Sequence, residues 1–244
     1  MRHRITEYFG VGSVTTRPNR NLCVFRVTKI EDLLSVIIPH FNQYPLLTLK
    51  YSDYVLWSKV VDLMSTKQHL TASGFSTILS YYASINKGMS PSVLAAFPEI
   101  IGVKKDTVAL PDNLNPHWLS GFVAGVLDGG LSIGIRTETG QIYFRFHVTQ
   151  HSRDSSLMNL FVKFFGCGKV NIRSNTNRCD YYVQDFLQLY DSIIPHFDKY
   201  PLYNIKSLDL ADFKKAVELF KANGRKSTED IKEIISNMNS KREY

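Results

Sequence analysis

Apolar and polar positions alternate along two stretches in the second half of the chain, at residues 131–136 and 142–149. A period of two predicts strands with one buried face and one exposed face. Ahead of them, residues 116–129 predict a helix, because Asn115 can cap it and a proline stands at its first position. The pattern therefore begins as helix, strand, strand.

The elements that follow continue this order with a second helix, a second pair of strands and further helices. The order is typical of an α+β fold and not of βαβ units. The later helices and strands are predicted at residues 153–165, 169–173, 178–183, a helix running into 195–197, and helices near 203–221 and 228–238.

An internal repeat relates the two halves of the chain. The block Ile37–Phe41 recurs as Ile193–Phe197, 156 positions later, and Tyr-Pro-Leu follows both copies. Agreement in one register over such a length predicts two related repeats. The same offset also matches Gly10 with Gly166, Arg17 with Arg173, Cys23 with Cys179, Val27 with Val183 and Lys50 with Lys206.

The repeat sets the expected domain boundaries. We place a first repeat at residues 1–110, a linker rich in Pro, Asp and Asn at 111–117, and a second repeat at 118–244. The offset leaves the first repeat without a counterpart of residues 115–156, so it lacks the initial helix and hairpin. Open strand edges and apolar patches attract partners. We therefore expect other proteins, an RNA surface or a rearranged N-terminus to cover this side.

Composition narrows the class of protein. No apolar run approaches the length of a membrane span, and Met1–Arg4 is not followed by a recognisable secretory or transit signal, so we expect a globular protein without a membrane partner. Cys23, Cys167 and Cys179 show neither CxxC nor histidine spacing, which disfavours a disulfide framework and a zinc site. The net charge of +7 indicates a polyanionic partner.

Cations and side chains that stack or donate hydrogen bonds predominate on the predicted exposed face of the strands, with Asp180 as an exception. Phosphates and base edges require this mixture, so we predict that the face binds nucleic acid. The alternative is the ordinary solvent-exposed face of an antiparallel sheet. The predicted nucleic-acid-binding residues are Arg17, Arg20, Arg26, Arg136, Tyr143, Arg145, His147, Thr149, Lys169, Asn171, Arg173, Arg178 and Tyr182.

Trp118–Gly125 resembles the start of a LAGLIDADG signature helix. The two repeated blocks, together with Thr149–His151 and Gly166–Gly168, are similar to the monomeric two-repeat branch of the LAGLIDADG homing endonucleases. The resemblance implies two pseudo-symmetric αββαββα repeats whose four-stranded sheets form a saddle over duplex DNA. It also implies two signature helices packed side by side, each with a carboxylate at its foot that binds divalent metal.

Gly121, Gly125 and Gly129 recur at every fourth position of this helix. Such spacing removes side chains from one helix face and lets a second backbone approach closely. Glycine in a helix costs about 1 kcal/mol per site, so we interpret this face as packing against a second helix. The alternative is a helix packed only on its own sheet.

The metal-binding acid of the family is displaced in this chain. Val126 stands where the motif has its acid, and the first acid is Asp128; starting the motif at Val123 instead leaves Gly130 at the metal position. Phosphodiester cleavage needs metal at both the attacking and the leaving oxygen. We therefore name no metal ligand and keep Asp128 and Gln150 as vestigial catalytic candidates, the latter at a polar position that the family uses near the catalytic water.

Three function hypotheses follow. The first is a degenerate nuclease without cleavage activity, acting as a structural rRNA-binding component of a mitochondrial ribosome, a ribonucleoprotein, or as an intron-splicing factor; it favours RNA over DNA and needs no cofactor. The second is an active site-specific homing DNA endonuclease, completed by a partner chain or by dimerisation and using Mg²⁺. The third is a protein scaffold that binds no nucleic acid. The resemblance implies a mitochondrial location, with the plastid as the alternative.

Overall fold

The structure is a computed structural model that falls into two compact units, Met1–Leu110 (unit 1) and Pro111–Tyr244 (unit 2). No described helix is long and apolar enough to cross a membrane. The residues described are 2–17, 22–126, 129–224 and 228–238.

Unit 1 consists of a β-hairpin and helices. The hairpin pairs β1 (Ser13–Arg17) with β2 (Leu22–Arg26) in antiparallel fashion. A π-helical segment at Leu33–Ile37 interrupts the helix that follows. The helices are α1 (Arg2–Phe9), α2 (Ile30–Asp32), α3 (Ile38–Gln43), α4 (Lys50–Ser65), α5 (Ala72–Ser84) and α6 (Pro91–Ala96), with a 3-10 turn at Gln68–Leu70.

Helix α4 supplies central core positions of unit 1. Leu56 and Val61 are each 2% exposed. The hydroxyl of Tyr54 donates to the carbonyl oxygen of Ile38 at 3.0 Å and contacts Oδ1 of Asn42 at 2.7 Å. These bonds tie α4 to α3, which contains the first copy of the repeated block.

Unit 2 is built on a four-stranded antiparallel sheet in the order β3-β4-β6-β5. Its strands are β3 (Gly129–Ile135), β4 (Ile142–His151), β5 (Lys169–Ile172) and β6 (Arg178–Val183). Its helices are α7 (Pro116–Gly125), α8 (Ser155–Phe165), α9 (Phe186–Gln188), α10 (Ile194–Lys199), α11 (Lys206–Asn223) and α12 (Thr228–Asn237), with a 3-10 turn at Ser152–Asp154 and a π-helical segment at Leu189–Ile193.

Alternation along β4 separates the two faces of this sheet. Phe144, Phe146 and Val148 are at most 3% exposed, and the ring of Phe144 lies edge-on to that of Phe213 in α11. Burial of each such side chain stabilises the fold by about 1.5–3 kcal/mol. Because successive strand residues point to opposite faces, the residues between them face away from this core.

Several corresponding elements of the two units begin at an offset of 156 residues. The segments Leu33–Ile37 and Leu189–Ile193 obey it, and so do the first residues of α4 and α11, Lys50 and Lys206. In both copies a proline follows the π-helical segment; because proline has no N–H, the α-helical hydrogen-bond ladder cannot run through it. The hairpin β1–β2 corresponds to β5–β6. The described part of unit 1 contains no counterpart of α7, β3 or β4, and the predicted α+β fold of two pseudo-symmetric repeats is confirmed.

Helix α7 is shorter than predicted. It ends at Gly125, Val126 is extended (φ −73, ψ 134), and Gly129 pairs with Val148 at the start of β3. A Cβ at Gly129 would lie 3.0 Å from the carbonyl oxygen of His147, so this glycine permits close strand pairing. The prediction that Gly129 lies on the helix face was wrong, because pairing with β4 outweighs the local helical pattern.

Candidate nucleic-acid interface

The face of the four-stranded sheet that points away from the core carries polar rows that cross several strands; we call it the outer face. Directly opposed residues of an antiparallel pair lie on the same side of the sheet. The rows contain six side chains. Five are predicted nucleic-acid-binding residues, and the sixth is Asp180, the acidic exception. The rows are Thr149–Asp180–Asn171 and His147–Tyr182–Lys169.

The remaining predicted residues of unit 2 extend this outer face. Tyr143 and Arg145 share it with His147 by alternation along β4. Arg178 opposes His151, and the backbone N–H of Arg173 donates to the carbonyl oxygen of Arg178, which prolongs the pairing of β5 with β6. The backbone N–H of the exposed Arg136 likewise prolongs the pairing of β3 with β4. The structure therefore brings all the predicted residues of unit 2 together; their contact with nucleic acid stays a prediction.

Unit 1 contributes arginines from its hairpin. Arg17 pairs with Leu22 and Arg26 with Ser13, so both arginines are exposed on one side, at opposite ends of the hairpin. Arg20, also predicted to bind nucleic acid, lies outside the described residues.

The carboxylate of Asp180 is held by two neighbours on the outer face. Nε and Nη2 of Arg173 donate to Oδ2 and Oδ1 at 2.6 and 2.8 Å, and the Thr149 hydroxyl donates to Oδ1 at 2.6 Å. Burial alone would raise the pKa of the Asp180 carboxyl, but these hydrogen bonds, with the charges of Arg173 and Arg145, outweigh burial and lower it. Asp180 is therefore ionised, and its charge is compensated within the sheet.

Arg145 is arranged differently from Arg173. Its guanidinium carbon lies 5.4 Å from the centre of the Tyr182 ring. Its Nε is buried and has no hydrogen-bond partner among the described residues. Stacking on Tyr182 holds this positive charge on the outer face, where it would attract a polyanion.

Lys206 closes the C-terminal end of α7. Its ammonium donates to the carbonyl oxygens of Val123, Val126 and Gly129 at 2.8, 2.6 and 2.9 Å. The last carbonyls of a helix have no partners within it and carry a partial negative charge, so a cation is favoured there. Burial lowers the pKa of Lys206, and the carboxylate of Asp209 opposes that effect.

A second set of hydrogen bonds fixes the middle of α7. The Ser120 hydroxyl donates to the carbonyl oxygen of Tyr200 at 2.7 Å and lies 3.1 Å from Nε2 of His196. Since the hydroxyl hydrogen is used on Tyr200, Nε2 carries the hydrogen of the second bond. The side-chain amide of Asn204 donates to the carbonyl oxygen of Ala124 at 2.6 Å. Helix α7 is thus held by the second copy of the repeated block.

One side of α7 packs against the rest of unit 2. The other side, which carries Gly121 and Gly125, is not covered by unit 2. Leu119, Ser120 and Val123 are buried. A Cβ built at Gly121 or Gly125 would meet no heavy atom of this unit within 4 Å. The helix therefore packs on its own unit, while its glycine side keeps the room that a second helix would need; that pairing stays a prediction.

The sequence pattern of a family described as LAGLIDADG endonuclease matches residues 1–61 and 119–217, which is most of the chain. The chain belongs to the LAGLIDADG endonuclease family. Both repeats are matched, including the described signature helix α7 and the block that anchors it.

Relatives of this LAGLIDADG chain carry endonuclease names. It is 34% identical to "Probable intron-encoded endonuclease 2" of Neurospora crassa over 97% of this chain and 54% of that protein. It is 31% identical to "Probable intron-encoded endonuclease 3" of the same organism over 92% of this chain and 43% of that protein. The chain thus spans about half the length of these relatives.

Solved LAGLIDADG structures superpose on nearly the whole chain. The meganuclease I-SmaMI bound to uncleavable DNA matches with a TM-score of 0.90 and 33% identity, over 98% of this chain and 84% of that one. The homing endonuclease I-GzeII in complex with its DNA target matches with a TM-score of 0.91 and 31% identity, over 99% and 84%.

These comparisons correct the first function hypothesis. The prediction of a structural rRNA-binding component of a mitochondrial ribosome was wrong, and so was the preference for RNA over DNA, because the relatives are named endonucleases and the matching structures hold DNA. The altered motif residues do not outweigh a fold that matches DNA-bound endonucleases over nearly the whole chain.

The described residues contain no cluster of metal-ligating side chains. They contain no group of three or more His, Cys, Asp or Glu side chains that could hold a metal ion. Asp128, the vestigial candidate at the foot of α7, lies outside the described residues. Gln150 is half-buried opposite Cys179, on the strand face that alternates with the outer face. We derive no catalytic step from these residues.

Sequence reasoning missed the groups that anchor the signature helix. In the sequence, His196 and Lys206 stand out only as positions of the internal repeat. Ser120, which contacts His196 from α7, stands out only as part of the signature motif. Their repetition at His40 and Lys50 was the available signal. The repetition does not show that these residues anchor a helix. That role follows only from their contacts with α7, which lies far from them in the sequence.

Proposed function

We propose that this chain acts in site-specific DNA cleavage of the homing-endonuclease type, with duplex DNA as its partner. The observation that carries the proposal is the outer face of unit 2. There the register gathers cationic and stacking side chains on a fold shared with DNA-bound endonucleases. Exposed cations such as Lys169 would contact phosphates, and exposed polar side chains such as Asn171 and Tyr143 would contact base edges.

Cleavage in this proposal needs a second signature helix beside α7. The described residues contain one such helix, α7, and its open glycine side, at Gly121 and Gly125, gives a second backbone room to approach. The polypeptide that supplies it would lie outside these residues, either joined to them or as a partner chain or second copy. Divalent metal, Mg²⁺ in the proposal, would likewise depend on carboxylates outside the described residues.

Unit 1 offers the matching anchors for that helix. His40 and Lys50 stand 156 positions before His196 and Lys206, which hold α7 by its middle and its end. Lys50 is exposed, at the first residue of α4, as Lys206 is the first residue of α11. We infer that unit 1 binds a helix of the α7 type, with its last carbonyls on Lys50.

The location in this proposal is the mitochondrion. Relatives are named as intron-encoded endonucleases of fungi, and one Podospora anserina relative, 41% identical over 68 residues, is named for an intron of ND4. These names support an organellar intron product.

Selection of ligands by the purified chain tests the choice of nucleic acid. Randomised duplex DNA and randomised structured RNA are offered together, and bound molecules are sequenced. We expect enrichment of one duplex sequence motif. Enrichment of a folded RNA with no duplex motif would contradict the proposal. A variant with Arg145→Gln and Lys169→Gln should lose the enrichment, whereas Lys214→Gln with Lys232→Gln, which changes charge on α11 and α12, should keep it.

A further inference from the structure

Asp180 is an acid placed in the middle of a basic surface. Register sets it between Thr149 and Asn171 on the outer face, and its side chain is only 4% exposed. A negative charge there repels phosphate and weakens binding to DNA of any sequence. Its presence calls for a role other than attraction of DNA.

The contacts of Asp180 restrict two side chains that face the same side. It binds Arg173 through two parallel N–H···O bonds and takes the hydroxyl hydrogen of Thr149. Paired bonds of this kind fix the plane of a guanidinium as well as its position. The Arg173 side chain is 40% exposed, so a group of fixed orientation reaches the surface.

A fixed guanidinium is suited to base readout. Arginine recognises guanine by paired bonds to O6 and N7, which requires a defined direction, whereas a phosphate accepts a cation from many directions. A side chain held in advance also loses less entropy on binding.

We propose that Asp180 is a positioning residue for sequence readout: it orients Arg173 toward one base-pair step of a DNA target and thereby contributes specificity while reducing general affinity. This inference rests on the proposed function, because it takes duplex DNA as the partner. Asp180 itself touches no base in it.

The test compares base preferences of the full chain and three variants. Each protein selects from a randomised duplex library, and preference is scored position by position, together with the affinity for a fixed non-specific duplex. Asp180→Asn keeps the shape and removes the charge. Arg173→Lys keeps both charges and loses the paired bonds. Asp198→Asn removes one exposed acid, paired with Lys214, and is the matched charge control.

Asp180→Asn and Arg173→Lys should lose preference at the same one or two base-pair positions by about tenfold. Asp180→Asn should bind the non-specific duplex as well as the wild type or better, and Asp198→Asn should keep the wild-type preference. Unchanged preference in both test variants, or a loss spread evenly over all positions, would overturn the role of Asp180 and leave the proposed function standing. A wild-type chain without any duplex preference would overturn both.

Discussion

At the scale of single residues, burial sets the protonation of His196. The ring is 8% exposed, and burial, with the nearby His117 as a smaller cause, lowers its pKa from 6.5 to about 4. In the unfolded chain the ring takes up a proton below pH 6.5, whereas in the folded chain it stays neutral down to about pH 4. The unfolded state therefore binds more protons in this window, and stability falls as the pH is lowered.

We expect the free energy of unfolding to fall by up to about 3 kcal/mol between pH 6.5 and pH 4 because of His196. His196→Gln should remove this slope, although it also lowers the overall stability. Urea unfolding at a series of pH values measures both. The Asp180 carboxyl, whose pKa is lowered, contributes a separate loss only as the pH falls below 3.8. An unchanged slope in the variant would show that another group titrates.

Lys206 provides a second prediction at this scale. Lys206→Met keeps the aliphatic stem and removes the donors to three carbonyl oxygens, so the variant should lose about 2–3 kcal/mol of stability. Lys214→Met, which breaks an exposed ion pair with Asp198, should lose less than about 1 kcal/mol. Urea unfolding of both variants checks the difference; equal losses would mean that the end of α7 does not depend on Lys206.

At the scale of elements, the turn between α8 and β5 depends on two glycines with different surroundings. Gly166 ends α8 with φ +66, and a Cβ there would meet nothing within 4 Å. Gly168 has φ +82, and its Cβ would lie 2.7 Å from the ring of the buried Tyr181. The turn therefore tolerates a side chain at one position far better than at the other.

Gly166→Ala should destabilise unit 2 by about 1 kcal/mol, the cost of a left-handed backbone at a residue with a Cβ. Gly168→Ala should cost about 2 kcal/mol or more, because the ring of Tyr181 must also move. Thermal unfolding of the two single variants gives the comparison. A smaller effect at Gly168 would show that Tyr181 can shift freely.

The cations of the outer face differ in how strongly each attracts a polyanion. Arg173 is neutralised by Asp180, whereas neither Arg145 nor Lys169 forms an ion pair with an acid among the described residues. Replacing Arg145 and Lys169 together by glutamine should reduce the slope of log affinity against log salt by up to about two units. Arg173→Gln alone should change it by less than one. Titrations of a duplex at several salt concentrations measure the slopes, and an equal change of slope for each replaced cation would contradict this ranking.

At the scale of the whole molecule, the repeat makes a direct test of the anchors in unit 1 possible. A copy of residues 115–156 joined ahead of Met1 would stand where the offset places its counterpart, with Ser120 of the copy facing His40 and its helix end at Lys50. We expect this fusion to raise the unfolding temperature by several degrees, as about 1–2 kcal/mol of added stability would. A fusion carrying Ser120→Ala in the copy should gain less. No gain from either would contradict the helix-binding role of unit 1.

The internal repeat, the α+β order of elements and the composition of the outer face follow from the amino-acid sequence. These depend on local patterns: a period of two for strands, glycine and proline at element ends, and letters recurring at one offset. The boundaries of the linker at residues 111–117 and the DNA contacts stay predictions. The family resemblance was also readable, although the altered motif led to the wrong preference for RNA.

Tertiary structure alone decided the rest. Gly129 lies in β3 and not in α7, because pairing with β4 supplies backbone hydrogen bonds that a local sequence pattern does not reveal. Asp180 binds Arg173 because the strand register places the two residues diagonally across from each other. Lys206 caps the end of α7 although 80 positions separate it from Val126. Hydrogen bonds and ion pairs form between groups that folding brings together, so partners that are distant in sequence cannot be read from periodicity or spacing.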